Sequence, residues 1–190
     1  LISEQQVNKI TQLVRDNLPQ GKTILEVGCG YGRSTWAILD GMQKRQALDV
    51  LDCFKLTKEP ILEKNLQATL QFDDVSEEFE NIRELGHKEY FIKRLKEHHN
   101  FKMIRSVYDM RSENYISQRA GNDYYMVYLD GDHAYEAVKS QLEYFADVEV
   151  ICGDDYNTQH PGVVQAVDEF VESNGYELET DLDTFWKINK

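Results

Sequence analysis

Cysteine is scarce. The 190 residues hold three, Cys29, Cys53 and Cys152. An odd number with no CxxC pair excludes a disulfide framework or a zinc knuckle. Each sits in an apolar or glycine-rich stretch, where a free thiol packs as a small hydrophobe. That usage points to a reducing compartment, most simply the cytoplasm. Basic charge is scarce too: 21 Lys and Arg stand against 34 Asp and Glu, a net −13. A nucleic-acid binder needs a basic footprint to neutralise phosphates, so no nucleic acid is expected as a partner. The same acidity disfavours anionic membrane surfaces and mildly attracts cationic small molecules and metal ions. No apolar run approaches the roughly 18 residues of a membrane span. Residues 1–16 carry scattered charge without the apolar middle of a signal peptide. Repeats, low-complexity tracts and linkers are also lacking. With 41% hydrophobic and 29% charged residues, the chain buries a full core and reads as one domain over 1–190.

What is present alternates. Ser3-Glu4-Gln5-Gln6 is a capping box, and Val7, Ile10, Leu13, Val14 and Leu18 follow at helical spacing. Pro19-Gln20-Gly21 ends that helix. Strands are predicted at 23–27 (TILEV), 47–54, 102–107, 124–129 and 148–152, each followed by a helical stretch. Residues 176–180 and 184–189, around a turn at 181–183, read as a hairpin. One helix, five strand–helix units and two closing strands predict an α/β fold, a parallel sheet with helices on both faces. Residues 55–100 are too long for one crossover helix. They form a lid, a pair of surface helices or a subunit interface of a homo-oligomer. His87, His98 and His99 fall there and read as solvated.

In open α/β sheets, ligands bind beyond the carboxyl ends of the strands, where strand order reverses. Gly28, Gly30 and Gly32 crowd the first strand–helix turn, where glycine lets the backbone adopt φ > 0 and approach a ligand. The bland alternative is a tight turn with no ligand. A dinucleotide fold wants G-x-G-x-x-G, which would put glycine at position 33; that residue is Arg33. Asp52, near the end of the second strand, is placed to accept hydrogen bonds from both hydroxyls of a ribose, or else is a solvated loop acid.

Three further acids stand at strand ends: Asp130 after the fourth strand, Asp154 and Asp155 after the fifth. Neighbouring strand ends lie about 5 Å apart, and carboxylates that close repel strongly. Mg²⁺ or a similar divalent cation is the simplest neutraliser. The alternatives are a protonated acid, a Lys or Arg partner, or a helix cap, for which Asp132 is the best placed. His133 lies beside this group and is suited to accept a proton near neutral pH, although a lone His is often structural. His160, before Pro161, is a lesser candidate for touching the acceptor.

These residues carry a resemblance. Glu26-Val27-Gly28-Cys29-Gly30-Tyr31-Gly32 resembles motif I of class I S-adenosylmethionine-dependent methyltransferases. Leu129-Asp130-Gly131-Asp132-His133-Ala134-Tyr135 is similar to a segment of the sugar and small-molecule O-methyltransferase branch. Gly153-Asp154-Asp155-Tyr156, followed by Pro161-Gly162-Val163, is similar to the segment that completes the metal site in metal-dependent members. The resemblance covers nearly the whole chain apart from 55–100. It implies a Rossmann-like seven-stranded, mostly parallel sheet with a C-terminal antiparallel hairpin. It implies Glu26, Gly28, Gly30, Tyr31 and Gly32 around the methionine part of the cofactor, Asp52 on the ribose, and Asp109, in the loop after the third strand, near the adenine, with a surface acid as the alternative for Asp109. It implies Asp130, Asp154 and Asp155 as Mg²⁺ ligands, His133 as general base, and a hydroxyl of a small molecule or sugar as methyl acceptor. The Pro-Gly-Gly turn usual before the fifth strand is replaced by Phe145-Ala146-Asp147-Val148. The competing readings are an NAD(P)-dependent oxidoreductase, against which Arg33 counts, and a non-catalytic binding module, which predicts eroded motifs. Aromatic walls for an acceptor are available in Tyr31, Trp36, Phe79, Tyr90, Phe91 and Tyr156, all of which serve equally as packing.

Overall fold

The computed structural model describes residues 2–55, 76–182 and 184–190, with the backbone alone at 76–79. Residues 56–75 of the expected insert, the Phe79 side chain and position 183 of the expected turn lie outside the described residues. Helix α1 (Glu4–Asn17) begins at the predicted capping box. The Gln6 amide N–H donates to Ser3 Oγ, and the Ser3 N–H donates to Gln6 Oε1. Strand β1 (Thr23–Val27), helix α2 (Arg33–Gly41) and strand β2 (Ala47–Asp52) follow. The crossover to the third strand carries α3 (Ser76–Leu85) and α4 (His87–Leu95). Then come β3 (Ile104–Asp109), α5 (Ser112–Ser117), β4 (Met126–Leu129), α6 (Tyr135–Tyr144), β5 (Val150–Gly153) and α7 (Pro161–Asn174). The chain ends in β6 (Glu177–Asp181) and β7 (Phe185–Asn189).

One seven-stranded sheet runs in the order β3-β2-β1-β4-β5-β7-β6. β7 is antiparallel to β5 and to β6; the other pairs are parallel. Val27 pairs with Leu51 on one side and Leu129 on the other, and Leu129 pairs with Gly153. The order reverses between β1 and β4, so the crevice expected for a ligand opens at their carboxyl ends. Helices cover both faces. Ile10 and Val14 of α1, Ile38 of α2, and Phe91 and Leu95 of α4 pack on Ile24, Leu48 and Val50. Tyr115 of α5, Leu142 of α6 and Val167 of α7 pack on Leu25, Val127 and Ile151. Burial on both faces is why these strands read as continuous apolar runs rather than alternating ones.

Several boundaries differ from the sequence reading, each for a local reason. β2 stops at Asp52 because Asp52 Oδ1 accepts the Phe54 N–H at 2.7 Å and turns the chain, with Phe54 at φ 46°. β3 is shifted two residues towards its end by a 3₁₀ turn at Phe101–Met103. Asp109 is therefore the last strand residue, not a loop residue. Tyr124 lies before β4, its hydroxyl donating to the buried Asp49 at 2.8 Å. Two of the insert histidines are not solvated: His87 and His98 are buried, and His99 alone is exposed.

Candidate functional site

A cleft of about 460 Å³ opens at the carboxyl ends of β1, β2, β3 and β4, within the size range of small-molecule sites. Gly28, Cys29, Gly30 and Tyr31 line it, together with Asp52, the segment Met110–Glu113, and Asp130, His133 and Asp155. Two walls face each other across the glycine loop.

The first wall is held by backbone. Gly28 stands at φ +83°, and a Cβ there would come 2.1 Å from the Asp130 carbonyl oxygen, so the strand crossing admits only glycine. Asp52 Oδ2 accepts the N–H groups of Cys29 (2.9 Å) and Gly30 (3.1 Å), while Oδ1 takes Phe54. A carboxylate offers about four acceptor positions, so one remains on Oδ1 for a ligand hydroxyl. The insert secures the loop from outside. His87 Nε2 donates to the Gly30 carbonyl at 2.7 Å, and Arg94 Nη1 donates to the Tyr31 carbonyl at 2.6 Å.

Glu26 and Gly32 are not on the cleft wall. Glu26 is fully buried beneath it, accepting from Ser34 Oγ (2.5 Å) and Thr35 Oγ1 (2.6 Å) in the first turn of α2. Burial pushes its carboxyl up to about 7 against the pull of these two hydroxyls, with Asp52 adding repulsion. Gly32 sits at φ +89° where α2 starts, and a Cβ there would press on Phe91 and Leu95 of α4. Asp109 also lies off the wall, exposed and 3.5 Å from Lys88 Nζ. The residues after it, Met110 to Glu113, take the place on the cleft expected of it.

The second wall is the acid and histidine rim, and it is less settled. Asp130 is enclosed on its protein side. Burial, followed by repulsion from Asp154 and Asp155, holds its carboxyl well above the usual range. Asp154 is drawn away from the cleft: Gln6 Nε2 donates to its Oδ1 at 2.8 Å and to Thr184 Oγ1 at 2.5 Å, and Trp186 Nε1 donates to its carbonyl. Asp155 occupies the left-handed region at φ 64°. Its Oδ2 lies 2.8 Å from His133 Nε2 and its Oδ1 lies 3.5 Å from His160 Nε2. Burial raises the Asp155 carboxyl, and the two imidazoles outweigh that, so it lies below its ordinary value. Asp132 Oδ1 accepts the Ala134 N–H at 2.9 Å just before α6, close to its expected capping place.

Asp155 and the two imidazoles beside it are a donor set that fits a divalent cation. His133 Nε2 is buried without a hydrogen bond of acceptable geometry. Among the described residues, the sets of three ligating side chains with one donor atom each within 4.8 Å are His133–Asp155–His160 and Asp40–His98–His99. The expected trio Asp130–Asp154–Asp155 is not among them, because Gln6 turns Asp154 towards α1. His160 entered the sequence reading only as a minor candidate, and Gln6 only as a helix cap. Nothing local marks either: His160 reaches the rim because it precedes the first turn of α7. Of the aromatic candidates, Tyr31 lines the cleft; Trp36 lies under Arg94 of α4; from α4 itself Tyr90 meets Tyr31 edge-on and Phe91 packs in the core; and the Tyr156 hydroxyl donates to Asp168.

Comparison with known proteins bears on this cleft. A family model described as a methyltransferase domain matches residues 25–150. No curated protein matches. Solved structures match over the full chain. The cofactor-bound protein Rv0187 from MTB does so at TM-score 0.64 and 14% identity, over 81% of its own length. The O-methyltransferase TomG from Streptomyces achromogenes, in complex with SAM, does so at 0.63 and 16%, over 82%. The O-methyltransferase from Bacillus cereus, in complex with SAH, does so at 0.60 and 14%, over 83%. At these identities the likeness is one of fold. No helix among the described residues is long and apolar enough to cross a membrane.

Proposed function

This chain belongs to the methyltransferase-domain family, and from that premise we propose that it transfers a methyl group from S-adenosylmethionine to a hydroxyl oxygen of a small molecule or sugar. One observation carries the reading. A glycine loop buttressed by Asp52 and an acid–histidine rim form opposite walls of one cleft at the β1/β4 reversal.

S-adenosylmethionine, when bound, supplies an electrophilic methyl on a sulfonium sulfur. Gly28, Gly30 and Tyr31 give it a backbone cradle. The N-terminus of α2, with Arg33 and Ser34 on the cleft, suits the carboxylate of its methionyl group. Asp52 takes a ribose hydroxyl on the acceptor position left on Oδ1. Glu26 and Gly32 serve the same site indirectly, by seating α2 under the loop and leaving room for α4. The segment after Asp109 replaces Asp109 itself beside the adenine. On the opposite wall, Asp130, Asp155 and His133 face the acceptor. A divalent cation bound at this rim, Mg²⁺ or similar, would lower the pKa of an acceptor hydroxyl. In the ion-free protein, His133 takes the hydroxyl proton on Nδ1, with Asp155 steadying the imidazolium at Nε2. Holding donor and acceptor in line is the main work of the cleft, worth roughly 7–11 kcal/mol.

The test is calorimetry followed by turnover. S-adenosylmethionine should bind and NAD should not; the reverse would return the chain to the oxidoreductases. Asp52→Asn removes a charged acceptor from three backbone donors and should weaken cofactor binding by about 2 kcal/mol, about 30-fold. His133→Ala should keep cofactor affinity and lose methyl transfer, read with a panel of hydroxylated acceptors. Cofactor binding with no transfer to any acceptor would leave a binding module.

A further inference from the structure

We infer that the rim binds one borderline first-row transition ion, of the Zn²⁺ or Co²⁺ class, through His133 Nε2, Asp155 and His160 Nε2. The inference deepens the proposed function by naming the ion at its rim, and it rests on that reading only for the use of the ion. Three observations carry it. The first is spacing. Ligands at about 2.1 Å from one ion in tetrahedral arrangement stand about 3.4 Å from each other. Asp155 lies 2.8 Å from one imidazole nitrogen and 3.5 Å from the other, and all three donor atoms fall within 4.8 Å. The second is the orphaned nitrogen. His133 Nε2 is shielded from solvent, faces a carboxylate oxygen, and makes no hydrogen bond of acceptable geometry. A buried nitrogen 2.8 Å from a carboxylate oxygen needs a proton or a cation between the two. The third is backbone geometry. Asp155 brings its carboxylate to both imidazoles from a left-handed backbone, φ 64°, that non-glycine residues seldom adopt.

The donor set decides the class of ion. Two imidazoles and one carboxylate suit Zn²⁺, Co²⁺ and their neighbours, whereas Mg²⁺ prefers oxygen alone. In the acid trio expected to hold Mg²⁺, Gln6 Nε2 occupies one oxygen of Asp154, Oδ1. Asp130 and Asp154 still contribute, because a cation at Asp155 relieves the mutual repulsion of the three carboxyls. The other candidate set is a weaker rival. His98 donates from Nε2 to Asp40 and accepts the Asn100 N–H on Nδ1, so both of its nitrogens are in use. An ion at His133 Nε2 replaces the direct Asp155–His133 contact, so occupancy decides whether that residue is ligand or base.

The experiment uses the full chain, freed of metal with a chelator and titrated with Co²⁺. Visible d–d absorption should saturate at one equivalent, Zn²⁺ should abolish it, and excess Mg²⁺ should leave it intact. Zn²⁺ should shift the imidazole NMR signals of His133 and His160 in the unsubstituted protein, which does not depend on any variant folding. His160→Ala should weaken Co²⁺ binding about 100-fold, and His99→Ala should not change it. The inference is overturned if Co²⁺ does not bind, if Mg²⁺ displaces it, if His99→Ala removes it, or if Asp130→Asn abolishes it while His160→Ala does not. Cofactor calorimetry on the same sample separates the two readings. Cofactor binding without Co²⁺ binding sinks only the metal site; Co²⁺ binding without cofactor binding sinks the methyl-transfer reading and leaves the site standing.

Discussion

The two walls of the cleft are built by opposite means. On the glycine-loop side Asp52 serves three backbone N–H groups, Glu26 serves two hydroxyls, and His87 and Arg94 cap the loop carbonyls. On the rim, Asp130 faces two other carboxylates, His133 Nε2 is orphaned and Asp155 holds a left-handed backbone. A wall that must hold a cofactor in one pose gains from satisfied, rigid groups. On the proposed reading, the wall that meets a cation and a reacting oxygen retains unspent polarity. Stability and reactivity are thus divided between two sides of one crevice.

The largest break in that comparison is at the point where the walls touch. Gly28→Ala drives a methyl group into the Asp130 carbonyl and forces φ +83° on a residue with a Cβ. We expect a loss of about 4 kcal/mol or more, read by urea denaturation. A change under 1 kcal/mol would show that the loop yields. The next effect lies under the loop. Glu26 rises from an ordinary 4.5 to about 7 in the fold, chiefly through burial. It therefore binds its proton more tightly folded than unfolded. Its contribution is fully present below about pH 4.5 and is lost as pH rises through about 7, an effect of up to about 3 kcal/mol. Glu26→Gln should flatten the fall in stability between about pH 5 and about pH 8; an unchanged slope would place the titration elsewhere. The smallest effect has the opposite sign. In chelated protein, Asp130→Asn relieves repulsion at the rim and should raise stability by about 1 kcal/mol while methyl transfer is lost. A lower melting temperature would mean that Asp130 is a structural acid.

The sequence disclosed the first wall better than the second. Gly28, Gly30 and Asp52 announced themselves because a strand, a glycine turn and a strand-end acid are consecutive or periodic features. Glu26 and Asp109 lie off the wall for a common reason: position near a strand end does not reveal which way a side chain points. Glu26 turns under α2, and Asp109 turns out to Lys88. His87 and His98 looked solvated because their neighbours in sequence are charged. Helix α4 nevertheless turns His87 onto the Gly30 carbonyl, and the chain beyond that helix places His98 between Asp40 and Trp36.

What the amino-acid order determined alone was the alternation of strands and helices, the glycine turn after β1 and the acids at three strand ends, all properties of short windows of chain. Only the tertiary structure decided which acids share a wall. Gln6 reaches Asp154 across 148 residues, and His160 meets His133 because α7 begins beside the β4 exit. Such meetings depend on parallel strands being brought side by side, and periodicity carries no information about a neighbour that arrives from another crossover.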